Sequence, residues 1–129
     1  MARNRKIRQG EIYWLDNCPA LDGHAEKRRP IVVIGHIDPA NRTGPVLVVG
    51  ISHTASTPDR DPDLLRLPDR QQSPTVKTGL SRSSWAIPRW FLLVEPERFG
   101  DPCGHIKGKL LKRLVSAVLT RVKETEESS

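Results

Sequence analysis

Long apolar runs are missing from this chain. No stretch approaches the ~20 consecutive apolar residues that a membrane-spanning helix needs, and the opening "MARNRKIRQG" has cations with no apolar segment behind them. A secretory leader is therefore not expected. Cysteine is scarce: Cys18 and Cys103 are the only two. Two thiols are too few for a disulfide framework, which makes a cytoplasmic location the default. They are also poor material for zinc. Cys18, His24, Cys103 and His105 could be grouped, but the Cys-x-His at 103–105 does not match the usual C-x2-C pairing, so two inert thiols and no metal are expected. Internal repeats and low-complexity segments are absent, and no G-x-S-x-G elbow marks a serine-hydrolase nucleophile.

What is present fits one domain. A chain of 129 residues should bury roughly two-thirds of its extended surface, enough for a core without disulfides. The formal charge is +6 and the isoelectric point about 9.8. That balance favours a polyanionic partner such as nucleic acid, an anionic membrane surface or an acidic protein segment.

Hydrophobic patterning places the elements. "EIYWLD" (11–16) alternates as a strand. "NCPALDGHAEKRR" (17–29) is a loop punctuated by Pro19 and Gly23. "PIVVIGHI" (30–37) and "PVLVVGIS" (45–52) are apolar on both faces, which predicts central, buried strands joined by the turn-rich "DPANRTG". After a polar loop over 53–62, "DLLRLP" (63–68) reads as an edge strand. A further loop covers 69–79, and strands over 83–87 and 91–96 flank Pro88. Leu110, Leu111, Leu114, Val115, Val118, Leu119 and Val122 recur at helical spacing, predicting an amphipathic helix over 107–123. Lys109, Lys112, Arg113 and Lys123 belong to its solvated face, and 124–129 to a loose acidic tail. Short strands in series with one C-terminal helix argue for a small antiparallel barrel, not a doubly wound sheet.

Within this frame "RQGEIYWLDNCPALDGHAEKRRPIVVIG" resembles the N-terminal signature of the MazF/PemK-type toxins of bacterial toxin–antitoxin pairs. Gly10-Glu11-Ile12-Tyr13-Trp14-Leu15-Asp16, Pro19, Gly23-His24 and Arg29-Pro30 carry the likeness. "VVGIS" follows at the expected distance, and "SSWAIPRWFLLVEPERFG" has the frame of the segment before the family's last helix. The resemblance covers residues 9–120 and implies an SH3-like barrel with a C-terminal helix, usually a homodimer. It also implies a metal-independent endoribonuclease acting on single-stranded RNA, in which the 2′-OH attacks the adjacent phosphate and leaves a cyclic phosphate and a 5′-OH. An acidic antitoxin segment would lie across the same groove.

The resemblance marks Arg29 and Ser52 as catalytic candidates. His24 and Glu26 are added because the family's loop Glu falls near them. Cleavage needs positive charge on the phosphorane, and the planar fork of Arg29 suits that task at any working pH. Its plainer alternative is a pairing with a carboxylate such as Asp16. Ser52 keeps the oxygen of the family's usual Thr but loses the methyl that stiffens the side chain. His24, Glu26 and His53 compete as general base. Lys27, Arg28, His53, Thr54, Arg89 and Trp90 are the candidate RNA contacts. Trp90 would either stack on a base or pack against the helix or a dimer mate. Trp14 and Trp85 are assigned to the core, and His36 and His105 to ordinary surroundings. Arg89-Trp90 stands where the family commonly has Asp-Gln, which favours a second reading: a non-catalytic interaction module, either gyrase-binding like the CcdB toxins or confined to RNA or antitoxin.

Overall fold

A computed structural model of the chain describes residues 7–19, 27–38, 43–52, 64–67, 80 and 84–128. The elements run β1 (Glu11–Cys18), β2 (Lys27–Asp38), β3 (Thr43–Ser52), β4 (Leu65–Leu67), β5 (Ser84–Val94), a short 3-10 turn (Pro96–Arg98), β6 (Phe99–His105) and α1 (Gly108–Ser128). The six strands form one sheet in the order β4-β5-β3-β2-β1-β6, and every neighbouring pair is antiparallel. The sheet curls into a half-barrel, and α1, the one helix longer than a turn among the described residues, follows it at the C-terminal end of the chain, as the short serial strands and the late helical period predict.

The doubly apolar runs become β2 and β3, the two central strands, because both of their faces are covered. Alternation sends Ile31, Val33, Val46 and Val48 to one side with Tyr13, Leu15, Trp90 and Phe99. It sends Val32, Ile34, Val49 and Ile51 to the other, where Leu114 and Val118 of α1 close over them. The helix thus roofs one face of the sheet, and the curl encloses the other.

β1 and β2 reach into the expected 17–29 loop, to Cys18 and from Lys27, and β3 starts at Thr43; three further features differ from the sequence reading. First, β5 is continuous through Pro88, where two strands were expected. Val49 pairs with Phe91 and Ile51 with Ala86, so residues 87–90 stand opposite Gly50 alone. Pro88 falls inside this bulge, where a missing N–H breaks no ladder bond. Second, β6 was not expected at all. "FGDPCGH" has loop composition, yet it pairs along β1 at the edge of the sheet. A Cβ on Gly100 would lie 2.8 Å from the Trp14 carbonyl oxygen, so this close approach of two backbones needs the glycine. Third, the acidic tail continues the helix to Ser128. Lys and Glu extend a helix once its packed turns have nucleated it, and Arg121 pairs with Glu124 at 3.4 Å on the last turns.

Candidate functional site

The three adjacent cations Lys27, Arg28 and Arg29 begin β2, and strand alternation separates them. Arg28 lies on the face opposite Arg29. Its guanidinium sits 5.0 Å from the centroid of the Trp14 ring. It also faces Asp16 at 3.6 Å and Asp101 at 3.7 Å, so the Asp16 carboxylate expected as a partner for Arg29 is engaged by its neighbour. These are exposed pairs and contribute little in water. Lys27 is exposed, opposite Cys18 on β1.

Arg29 has different company. It pairs with Leu15 on β1 and shares the inner face with Ile31 and Val33. Its guanidinium carbon lies 5.3 Å from the Trp90 ring centroid. The Nε is buried with no hydrogen-bond partner, and no ion pair to a carboxylate is found for Arg29 among the described residues. The β2–β3 register matches Ile31 with Gly50, Val32 with Val49 and Val33 with Val48. Continued two residues towards the strand ends, that register runs from Arg29 to Ser52. Ser52 closes β3, is half-buried and pairs with Trp85 on β5.

Trp90 is the side chain that builds this corner. It leaves the β5 bulge and lies on the backbone of Gly50, where a Cβ would fall 2.3 Å from its ring carbons. Its indole N–H donates to the Pro19 carbonyl at 3.2 Å, at the end of β1 just before the segment that carries His24 and Glu26. Only 4 % of Trp90 is exposed. Its ring is therefore a buried platform for Arg29, and the open stacking surface for a base that the sequence suggested is replaced by an internal contact. Arg89, the preceding residue, is exposed. His24, Glu26, His53 and Thr54 lie outside the described residues, so the competition for the base stays where the sequence left it.

Sequence reasoning missed Gly50 and Asp101. A lone glycine inside an apolar strand run does signal close approach, and here the approaching group is Trp90. Nothing local marks Asp101, whose link to Arg28 depends on β6. Among the described residues no three His, Cys, Asp or Glu side chains converge as a metal set. Cys18 and Cys103 belong to opposite faces of the sheet, and burial pushes the Cys103 thiol up. An open cleft of about 530 Å³ lies elsewhere, lined by Arg8, Gln9, Glu11, Cys103, His105 and Lys107 among others. The Glu11 carboxylate there already accepts hydrogen bonds from the Arg8 N–H and the Tyr13 hydroxyl.

Comparison with known proteins adds a family. The family model described as PemK-like, MazF-like toxin of type II toxin–antitoxin system matches residues 8–124. Among solved structures, an endoribonuclease in complex with its cognate antitoxin from a mycobacterial species superposes with a TM-score of 0.64 at 15% identity, covering 92% of this chain and 96% of that one. The Mycobacterium tuberculosis toxin MazF-mt6 gives 0.62 at 16% identity, over 88% and 96%. A MazE–MazF structure from Deinococcus radiodurans gives 0.64 at 15% identity, over 92% and 97%. At such identities these likenesses show the fold. No curated protein sequence matches the chain.

Proposed function

Because the chain belongs to the PemK-like, MazF-like toxin family, whose model spans nearly all of it, we propose that it is the toxin of a type II toxin–antitoxin pair and a metal-independent endoribonuclease for single-stranded RNA. The observation that carries this reading is Arg29. It is a cation fixed at the mouth of a central strand, backed by Trp90, with one nitrogen buried and no carboxylate among the described residues to neutralise it.

The reaction asks little else of that corner. A base takes the 2′-OH proton, and the 2′-oxygen bonds to phosphorus. The bond from phosphorus to the 5′-oxygen then breaks as that oxygen receives a proton. Negative charge grows on the two non-bridging oxygens, and a guanidinium held in place stabilises it without reorganising. Ser52 supplies a hydroxyl on the same face for the phosphate or the 2′-OH. Lys27 on β2 and the exposed Arg89 on β5 add positive surface, and one of His24, Glu26 and His53 supplies the base.

The test is direct. Purified protein should cut a long single-stranded RNA in EDTA and leave cyclic-phosphate and 5′-OH ends. RNA that stays intact at stoichiometric protein, with or without ribosomes, refutes the reading and leaves the interaction module, which Arg89-Trp90 in place of Asp-Gln favours. Two of the solved structures of this fold hold an antitoxin or its MazE partner. An acidic antitoxin segment is accordingly proposed to lie over Arg29 and compete with RNA.

No helix among the described residues is long and apolar enough to cross a membrane, and action in the cytoplasm, where RNA is reached, is part of the same proposal. So is a homodimer. Leu93 is 56 % exposed and Leu119 50 %, large apolar side chains that a second copy would cover. Light scattering at tens of micromolar should give about twice the 14.5 kDa of one chain, and a monomer mass would refute it.

A further inference from the structure

We propose that Trp90 is a positioning residue for Arg29, the π face that fixes the guanidinium where the scissile phosphate must arrive; this rests on reading Arg29 as the phosphate-gripping group. Three observations converge on one indole. Its ring rests on the backbone of Gly50, where even a methyl group would collide with it at 2.3 Å. Its N–H is spent on the Pro19 carbonyl at 3.2 Å. Its π system lies 5.3 Å from the Arg29 guanidinium carbon. The ring is thus immobilised by β3 and the end of β1 before it meets the arginine, and almost none of its surface is exposed.

The chemistry follows from what Arg29 lacks. Its Nε is buried without a hydrogen-bond acceptor, a position that costs free energy unless something replaces the lost water. The electron-rich face of an indole within about 6 Å does so for a cation. An aromatic face, unlike a carboxylate, leaves the net charge of the guanidinium intact. It holds the cation in place without neutralising the charge that the phosphorane needs. A carboxylate in the same place would fix Arg29 equally well and cancel its pull. The buried Nε leaves the two Nη nitrogens as the pair to span two phosphate oxygens.

Arg29→Ala identifies the Arg29 Nε–H signal in a nitrogen–proton NMR spectrum, where a buried Nε–H exchanges slowly enough to be seen. Wild-type, Trp90→Phe and Trp90→Leu proteins are then compared. In the wild type the signal should be displaced from the ordinary arginine position by the ring current. Trp90→Phe keeps an aromatic face but loses the bond to Pro19, and it should keep the displacement and most of the cleavage rate. Trp90→Leu should return the signal to the ordinary position. It should also lower the rate at saturating RNA by roughly ten- to a hundredfold, the scale of a small misplacement of a reacting group, with a smaller change in RNA affinity.

An undisplaced wild-type signal, or an unmoved signal and rate in Trp90→Leu, overturns the proposal. If Trp90→Leu does not fold, Trp90→Phe decides: a lost displacement would mean that the Pro19 bond, and not the ring, places Arg29. If wild-type protein cuts no RNA, the ribonuclease reading falls while the resonance still decides the contact. If it cuts RNA with the resonance unmoved in Trp90→Leu, only the positioning role falls.

Discussion

Replacing Arg29 by Ala is expected to lower the rate of RNA cleavage at saturating substrate by roughly a hundredfold or more, as loss of one preorganised donor usually does. Arg28→Ala should weaken RNA binding modestly and leave that rate nearly intact. The two neighbours differ because their surroundings do. Arg28 already faces Asp16, Asp101 and the Trp14 ring on the outer side of the sheet. The Arg29 guanidinium lies against the Trp90 ring, with no carboxylate partner among the described residues, and keeps its charge for a ligand. Arg29→Lys should rescue little, since a point charge cannot span two oxygens. Ser52→Ala should fall between the two alanine variants, and Ser52→Thr should be neutral or better. Single-turnover kinetics on proteins that melt normally measure this. Equal losses of rate at positions 28 and 29, in proportion to lost binding, would reduce the positive run to a docking surface.

Leu114→Ala should be strongly destabilising although it lies away from the site. Leu114 is fully buried under the roofed face of the sheet, and truncating such a side chain costs about 2–5 kcal/mol through lost transfer energy and the cavity left behind. That is a large share of the stability of a domain this size. Denaturant unfolding should show a lower midpoint with an unchanged slope. Below the midpoint the remaining folded protein should cut RNA at the wild-type maximal rate, because α1 packs on the face opposite Arg29. A loss under about 1 kcal/mol would mean that the helix is not the roof described here. A fall in the saturated rate would mean that the two faces are coupled.

Particular residues explain what could be seen beforehand. The apolar runs of β2 and β3 announce strands buried on both sides, and the spacing of Leu110, Leu114 and Val118 announces the helix. These are local periodicities, which tertiary contacts only reinforce. The Gly-Glu-Ile-Tyr-Trp stretch and Arg29-Pro30 mark the family early. The strand at 99–105 was invisible because Gly100, Pro102 and Gly104 have the chemistry of a loop, and only pairing with β1 makes it a strand. Pro88 looked like a break because a bulge is a property of two strands together. The sequence could place Trp90 near the site but not under Arg29. That contact needs Gly50 as a bed, and the two residues are joined only by the β3–β5 register. His24, Glu26, His53 and Thr54 were legible as candidates, and they lie outside the described residues.

The strand order also sets a sequence of events in time. Two of the pairings join strands that are not consecutive in the chain: β1 is completed by β6, with Glu11 against His105, and β3 by β5. Such pairings form slowly, because long loops must close before any contact repays them. During synthesis the β2–β3 hairpin emerges early and carries Arg29 with it, but the ring beneath that arginine is not made until residue 90. The carboxylate of Asp101 beside Arg28 comes later still. A ribosome making this protein therefore carries the strand cations long before their corner exists, and the corner takes shape only as the chain nears completion.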